Sequence, residues 1–464
     1  MYDIIFDKKK RRFQKQRFLF VEEGYMRFFD RVEELKMLNE IERRSRSNAQ
    51  FTVVTGRRRV GKTSLLTRAF PDSNFAYLFV ERKSEKDLCQ TFKEELSSQL
   101  GMTIYGVPDE FTQIFDAIMH FASEKPITLV IDEFQEFLKI NPAVFSGIQK
   151  IWDLNKDRAK INLIVSGSVY TLMQKIFKSK KAALYGRETA FIKIEPFRVS
   201  VLKEILSEYS QQYTNEDLLA LWAFTGGVAK YVELLMDAGA VTRDKMIDCM
   251  VREDSVFVDE GRSVLIDEFG KEFGTYFSIL SAIASGKNTR NEISQVIGRD
   301  AGGYLTRLES DYSIVAKKQP MFAAASAKGA RYCLTDNFFI FWFRFIFKYG
   351  YLLEIKGYDR LRKIIRRDYE TFSGFALERY FRELFIESGE WTRLGSWWDR
   401  KGENEIDLLA ENEIEGVCAV CEVKREKARI DMDAVKAKYE AFTKSSGKWK
   451  RARPKFIALS MDDM

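Results

Sequence analysis

The octapeptide Gly56-Arg57-Arg58-Arg59-Val60-Gly61-Lys62-Thr63 lies between an apolar run, Phe51-Thr-Val-Val-Thr55, and an amphipathic one, Ser64-Leu-Leu-Thr-Arg-Ala-Phe70. The first run reads as a short buried strand and the second as a helix with one apolar face. A chain that passes from strand to helix through so tight a glycine-bounded turn is confined to very few architectures. The spacing fits the phosphate-loop pattern G-x-x-x-x-G-K-[ST] at every specified position. Glycine lets successive main-chain N–H groups point inward, and the following helix begins with its positive dipole end at the same place. Gly56 through Ser64 are therefore candidates for holding nucleotide phosphates. Lys62 would reach the β- and γ-phosphates and assist their chemistry, and the Thr63 hydroxyl would coordinate Mg²⁺. The side chains of Arg57, Arg58 and Arg59 are expected to face solvent or partner phosphates.

A second run, Ile127-Thr-Leu-Val-Ile131, is continuously apolar, as a strand covered on both faces of a parallel sheet must be. It ends in Asp132-Glu133. Ligands of such sheets sit beyond the carboxyl ends of the strands, so both carboxylates arrive beside the phosphates. Asp132 is the expected Mg²⁺ ligand and Glu133 the group that polarises the attacking water. Without the glycine loop, a strand end that caps the next helix would be the better explanation of the pair. A third strand, Ile161–Val165, runs into Ser166-Gly167-Ser168, where a hydroxyl, Ser166 first, can sense the γ-phosphate or position water. Leu184-Tyr-Gly-Arg187 follows. Arg187 reads either as an arginine that neutralises transition-state charge or as a surface arginine of a basic chain.

With 464 residues, the chain is long enough for two to four domains. Its apolar fraction of 45% and charged fraction of 31% describe a globular protein. No apolar run is long enough to span a bilayer: Phe338–Phe343 is the most apolar, but Arg344 and Lys348 interrupt it, and it reads as a buried aromatic helix. The N-terminus lacks a secretion pattern, so a cytoplasmic location without membrane contact is expected. Five scattered cysteines suit reduced thiols, and the lone Cys418-x-x-Cys421 has no second pair to complete a metal site. His120 is the only histidine, which excludes histidine triads and multi-histidine metal sites. The net charge of +7 is a mild bias toward polyanions, concentrated in Lys356–Arg367 and the last forty residues. Solvated helix faces explain such clusters as readily as DNA does.

Organisation follows from the patterning. Residues 1–25 are basic, aromatic and aperiodic, an N-terminal extension. From 26 to 195 strands alternate with helices, the mark of a doubly wound parallel sheet forming a P-loop core. Residues 196–265 read as a helical lid with helices at Val199–Gln212, Asn215–Phe224, Ala229–Ala238 and Asp244–Val251. Residues 266–335 carry three helices (Phe273–Ala284, Arg290–Val296, Ala301–Ser310) and a hairpin, the parts of a winged helix-turn-helix. That motif reads DNA in some proteins and only packs in others; here the third helix offers just Arg307. A helical linker, 336–371, leads to a small α/β unit at 372–464. There Asp407 and Glu422-x-Lys424 fall on adjoining strands, with Glu422 and Lys424 on one face. With Glu378 from the preceding helix, the carboxylates Glu378, Asp407 and Glu422 form a candidate Mg²⁺ set for phosphodiester cleavage, catalysed by Asp407, Glu422 and Lys424.

These motifs together resemble one family: archaeal-type P-loop ATPases, within the AAA+ and STAND assembly, with a C-terminal restriction-endonuclease-like domain. The resemblance is carried by Phe29-Asp-Arg31-x-x-Glu34-Leu35, the phosphate loop, Ile131-Asp-Glu-Phe-Gln135, Ser166-Gly-Ser168 and Leu184-Tyr-Gly-Arg187. Gly226-Gly-Val-Ala-Lys-Tyr231, Tyr332-Cys-Leu-Thr-Asp336-x-Phe338, Trp397-Trp-Asp399, Glu405-Ile-Asp407 and Glu422-Val-Lys424 complete it. It implies an α/β fold, ATP and Mg²⁺ as cofactors, and Phe29–Leu35, including Arg31, near the adenine. It also implies the PD-(D/E)xK nuclease fold for the C-terminal unit. Relatives often carry proline where this chain has Ala229, which puts lid contact with nucleotide in doubt. Three functions remain to be separated: an ATP-hydrolysing switch, an ATP-governed metal-dependent nuclease, and a non-enzymatic DNA-binding regulator. DNA, another protein and a second copy of the chain are the candidate partners besides ATP.

Overall fold

The computed structural model describes residues 27–464 apart from 72–73, 270–272, 325–328 and 451. The extension assigned to residues 1–25 lies outside the described residues. Five strands build the first sheet: β1 (Gln50–Thr55), β2 (Phe75–Phe79), β3 (Ile127–Asp132), β4 (Ile161–Gly167) and β5 (Ala190–Lys193). They lie in the order β2-β3-β4-β1-β5, and every neighbouring pair is parallel. β1, β3 and β4 are buried along their whole length, which explains their unbroken apolar runs. Alternation splits their side chains between two cores. Phe51, Val53, Leu129, Ile131, Leu163 and Val165 face the helices Glu85–Leu100, Phe111–Glu124 and Ala143–Asn155. Val54, Val130 and Ile164 face the helices Val32–Ser45 and Lys62–Ala69.

The lid helices run Val199–Tyr209, Asn215–Thr225, Ala229–Asp237, Arg243–Met250 and Val256–Phe269. Thr214 and Asp217 close a capping box on the second of them, and Gly226, at φ 58°, ends it. Helices Phe273–Ala284, Arg290–Ile297 and Gly302–Ser310 follow, then the antiparallel pair β6 (Val315–Lys318) and β7 (Arg331–Leu334). Phe338, Phe341, Trp342 and Phe343 are buried as expected, in a helix Asn337–Phe341 that widens to a π-turn over Trp342–Phe347. The expected helix Phe372–Ser388 starts earlier: one helix of 31 residues, Tyr358–Ser388, crosses from the linker into the C-terminal unit. Its basic first half still buries Leu361, Ile365 and Tyr369, so nothing stops it at residue 371.

The C-terminal sheet comprises β8 (Arg393–Trp398), β9 (Glu405–Asn412), β10 (Val417–Val423) and β11 (Lys455–Leu459), in the order β11-β10-β9-β8. β9 and β10 pair antiparallel, and β11 lies parallel to β10. One face of this sheet (Leu408, Ala410, Ala419, Cys421, Val423) joins a continuous core with the lid and the helix–hairpin unit. The other face packs on helix Met432–Ser446. Among the described residues no helix is long and apolar enough to cross a membrane.

Candidate active site at the phosphate loop

Gly56 and Gly61 adopt φ of 157° and 94°, conformations an L side chain resists, and a Cβ on Gly56 would strike the Ile194 carbonyl oxygen. The loop therefore needs glycine at both ends. Lys62 is buried and turned back on the loop, donating to the carbonyl oxygens of Gly56 (2.8 Å) and Arg57 (3.1 Å). Burial lowers the pKa of its ammonium, opposed by the nearby carboxylates of Glu133 and Asp132. Arg31 does not project into the cradle. It is buried, donates to the carbonyl oxygens of Val60 (3.2 Å) and Glu195 (2.7 Å), and so clamps the loop from behind.

Asp132 and Glu133 emerge at the carboxyl end of β3, beside the loop that leaves β1. The Thr63 hydroxyl donates to Asp132 Oδ2 across 3.2 Å. Tyr77 donates to the same oxygen, and Ser166 to Oδ1. Glu133 Oε2 accepts from Ser168 Oγ (2.9 Å) and from the Gln135 amide. The Ser166-Gly167-Ser168 triplet is thus a template: one hydroxyl holds each carboxylate, and Gly167 leaves room for Gln135 and Met173, with which a Cβ would collide. Thr63 and Asp132 are hard oxygen donors a short distance apart, and this donor set fits Mg²⁺.

Arg57 departs from expectation, and Arg59, though exposed, is paired. Arg57 pairs with Asp336, lies 4.6 Å from the Phe339 ring centroid and is held against Tyr231. Its burial lowers its pKa, opposed by Tyr231 and Glu260. Arg59 pairs with the buried Glu260 at 2.7 Å, and its carbonyl accepts from the Lys230 N–H at 3.1 Å. Arg57 is drawn to the segment after β7 by Asp336 and the aromatic rings, and Arg59 reaches the buried Glu260 while staying exposed. Arg58 is half-buried. Ala229, despite replacing proline, stays close: a Cβ on Gly61 would lie 3.6 Å from that of Ala229, so the lid does touch the loop.

Arg187 is not brought to the phosphates of its own chain. It precedes β5, where Thr189 bonds Phe51 near the start of β1, and it pairs with Asp153 at 3.0 Å. The loop leaves the other end of β1, about 15–20 Å away at 3.3 Å per strand residue.

In the C-terminal sheet Asp407, Glu422 and Lys424 do converge. Lys424 Nζ lies 3.3 Å from Asp407 Oδ2 and 3.0 Å from Glu422 Oε1. Lys438, from helix Met432–Ser446, adds contacts of 2.8 and 3.0 Å to the two Glu422 oxygens. Glu378 faces Asp407 electrostatically, and its pKa is raised by burial first and by Asp407 second. The three carboxylates nevertheless do not make the expected metal set: among the described residues no group of three His, Cys, Asp or Glu side chains could hold a metal ion. Lys424 lies between Asp407 and Glu422, and Lys438 engages both Glu422 oxygens.

A family model described as an ATPase domain predominantly from Archaea matches residues 28–235. A second, described as archaeal and bacterial proteins of unknown function, matches residues 342–438. An uncharacterized protein of Methanocaldococcus jannaschii is 33% identical over 428 residues, covering 90% of this chain and 92% of that protein. The chain belongs to the archaeal-type P-loop ATPase family. A solved Walker-type ATPase of Pyrococcus abyssi superposes with a TM-score of 0.53 at 16% identity, over 68% of this chain and 96% of that one. That likeness speaks for the fold alone.

Several residues at the two centres of this ATPase escaped sequence reasoning. Tyr77 and Glu260 lie in segments without a motif, so nothing local marks them. Gln135 and Asp336 sit inside recognisable motifs, but their roles depend on which distant side chains they meet. Lys438 is one lysine of a basic stretch, and no spacing rule singles it out.

Proposed function

We propose that this ATPase hydrolyses ATP with Mg²⁺ and passes its nucleotide state to the helix–hairpin unit and the C-terminal domain. One observation carries the hydrolytic reading: Thr63, Asp132 and Glu133 meet at the mouth of the glycine loop with their oxygens held by Ser166, Tyr77 and Ser168. Magnesium held by Thr63 and Asp132 would supply charge neutralisation at the β- and γ-phosphates. Lys62 has only carbonyl oxygens to leave in order to meet phosphate. Glu133 would orient water and take its proton. The test is calorimetry and phosphate release on the purified chain. Lys62→Ala should lose ATP binding, and Glu133→Gln should bind ATP yet turn over about 10²–10⁴-fold more slowly; undiminished turnover in both would end the reading.

Coupling is supported by Arg57 and Arg59, which tie the loop to Asp336 and Glu260 downstream. The order of three helices and a hairpin suits a winged helix that packs in place of reading DNA. Arg307 lies over the rings of Tyr276 and Tyr304, 5.5 and 5.1 Å from their centroids, so the cation of the third helix is engaged inside the molecule. The alternative, a metal-dependent DNA nuclease governed by ATP, draws support from the convergence of Asp407, Glu422 and Lys424 but not from their donor set. Incubation with plasmid and Mg²⁺ or Mn²⁺ decides it. Intact plasmid is the expected result, whereas cleavage abolished by Asp407→Ala would establish the nuclease.

A further inference from the structure

Glu133 has an unusual foothold. Its backbone sits at φ 53°, a left-handed conformation that is costly for a non-glycine residue. Its N–H donates to Asp132 Oδ1 at 2.9 Å, and its carboxylate is gripped from one side by Ser168. The second grip comes from Gln135, on the short 3₁₀ turn Phe134–Glu136. Gln135 is 1% exposed. Its amide nitrogen donates to Glu133 Oε2, and its buried carbonyl oxygen has no hydrogen-bond partner among the described residues.

A buried amide that serves only packing is normally satisfied at both ends, and leaving one acceptor unpaired costs about 1–3 kcal/mol. Rotating the amide would turn its oxygen toward the Glu133 carboxylate, so that carboxylate dictates the orientation kept here. The space is also prepared for it: a side chain at Gly167 would strike Gln135 Oε1. A group held at a stability cost against the presumptive base of a reaction is better explained by the reaction than by the fold.

We propose that Gln135 is a positioning residue of the hydrolytic centre, which together with Ser168 fixes the Glu133 carboxylate in the direction needed to orient water. The inference rests on the ATP-hydrolysis reading above. It makes an opposite-sign prediction for stability and turnover. Gln135→Met keeps the volume and removes the unpaired oxygen. The full chain carrying it should bind ATP–Mg²⁺ within about threefold of the parent, melt at the same or a higher temperature, and show a kcat lower by about tenfold or more. In a Glu133→Gln background the same change should have no further effect on kcat, because the two residues act as one unit. A kcat within about twofold of the parent, a fall in melting temperature alongside kcat, or an equal slowing in the Glu133→Gln background would each overturn it. Should the parent itself turn over no faster than Glu133→Gln, the hydrolysis reading falls and takes this inference with it. A parent that hydrolyses ATP while Gln135→Met matches it removes this inference alone.

Discussion

Burial holds the Glu378 carboxyl well above the usual carboxylate range, and Asp407 beside it pushes the same way, against Lys424 and Lys318. Asp407 is itself raised, by burial and then by Glu422. The sign of the consequence is fixed. Below the ordinary glutamate value, about 4.3, Glu378 carries a proton in both the folded and unfolded chain. Above it the unfolded chain releases that proton while the folded chain keeps it, so stability is lost as pH rises toward the folded value. Glu378→Gln should therefore flatten the decline in melting temperature between about pH 4.3 and about 8. Thermal unfolding followed across pH checks this, and a decline as steep as the parent's would contradict it. Lys62 shows the same physics in the other direction: an ammonium taken out of water is easier to deprotonate, and only anions beside it restore its charge.

The hairpin β6–β7 shows how an element's role escapes its pattern. Its spacing suits a wing, yet the connection after β6 buries Met321 in the C-terminal core with Trp397, Leu409 and Phe442, and packs Phe322 beside it. The Met321 N–H donates to the Ser396 carbonyl oxygen at 2.8 Å. Met321→Ala should accordingly destabilise the C-terminal domain by about 2–5 kcal/mol, read as a lower denaturant midpoint. A change of a few tenths of a kcal/mol would mean that the tip is not an anchor. Strand β4 makes a similar point at its end. Gly167→Ala forces a methyl against Gln135 and Met173 and should lower both melting temperature and turnover, in contrast to Gln135→Met.

Across the molecule, the contact from the phosphate loop to Asp336 is the feature with most bearing on function. Asp336 caps the helix Asn337–Phe341 through the Phe339 N–H (3.3 Å) and pairs with Arg57 of the phosphate loop. The same region continues through Tyr358–Ser388, whose Glu387 accepts from Val199 N–H at 2.7 Å in the lid. Arg425, just past β10, reaches Glu216 at 2.5 Å. Phosphate loop, lid and C-terminal sheet are thereby joined by charged contacts as well as by a shared core. Asp336→Asn keeps a capping oxygen and removes the charge. Hydrogen exchange of the parent is expected to change on ATP addition both in the loop and across Asn337–Phe341, whereas the variant should respond in the loop alone. A response of Asn337–Phe341 that survives in the variant would exclude Arg57–Asp336 as the connection.

Short-range chemistry made the glycine loop, the buried strands and the Asp132-Glu133 pair readable in advance, because each is set by neighbours within a few residues. The pairing of Asp407 with Lys424 was also readable, since alternation along two strands of one hairpin places them. Arg57, Arg187 and Lys438 were not. Their surroundings come from segments tens to hundreds of residues away, and a charged side chain goes wherever the fold happens to supply an opposite charge or a ring. Local pattern thus named the cradle and its carboxylates, while long-range packing settled which cations lie beside it, which tie segments together, and which pair with the C-terminal carboxylates.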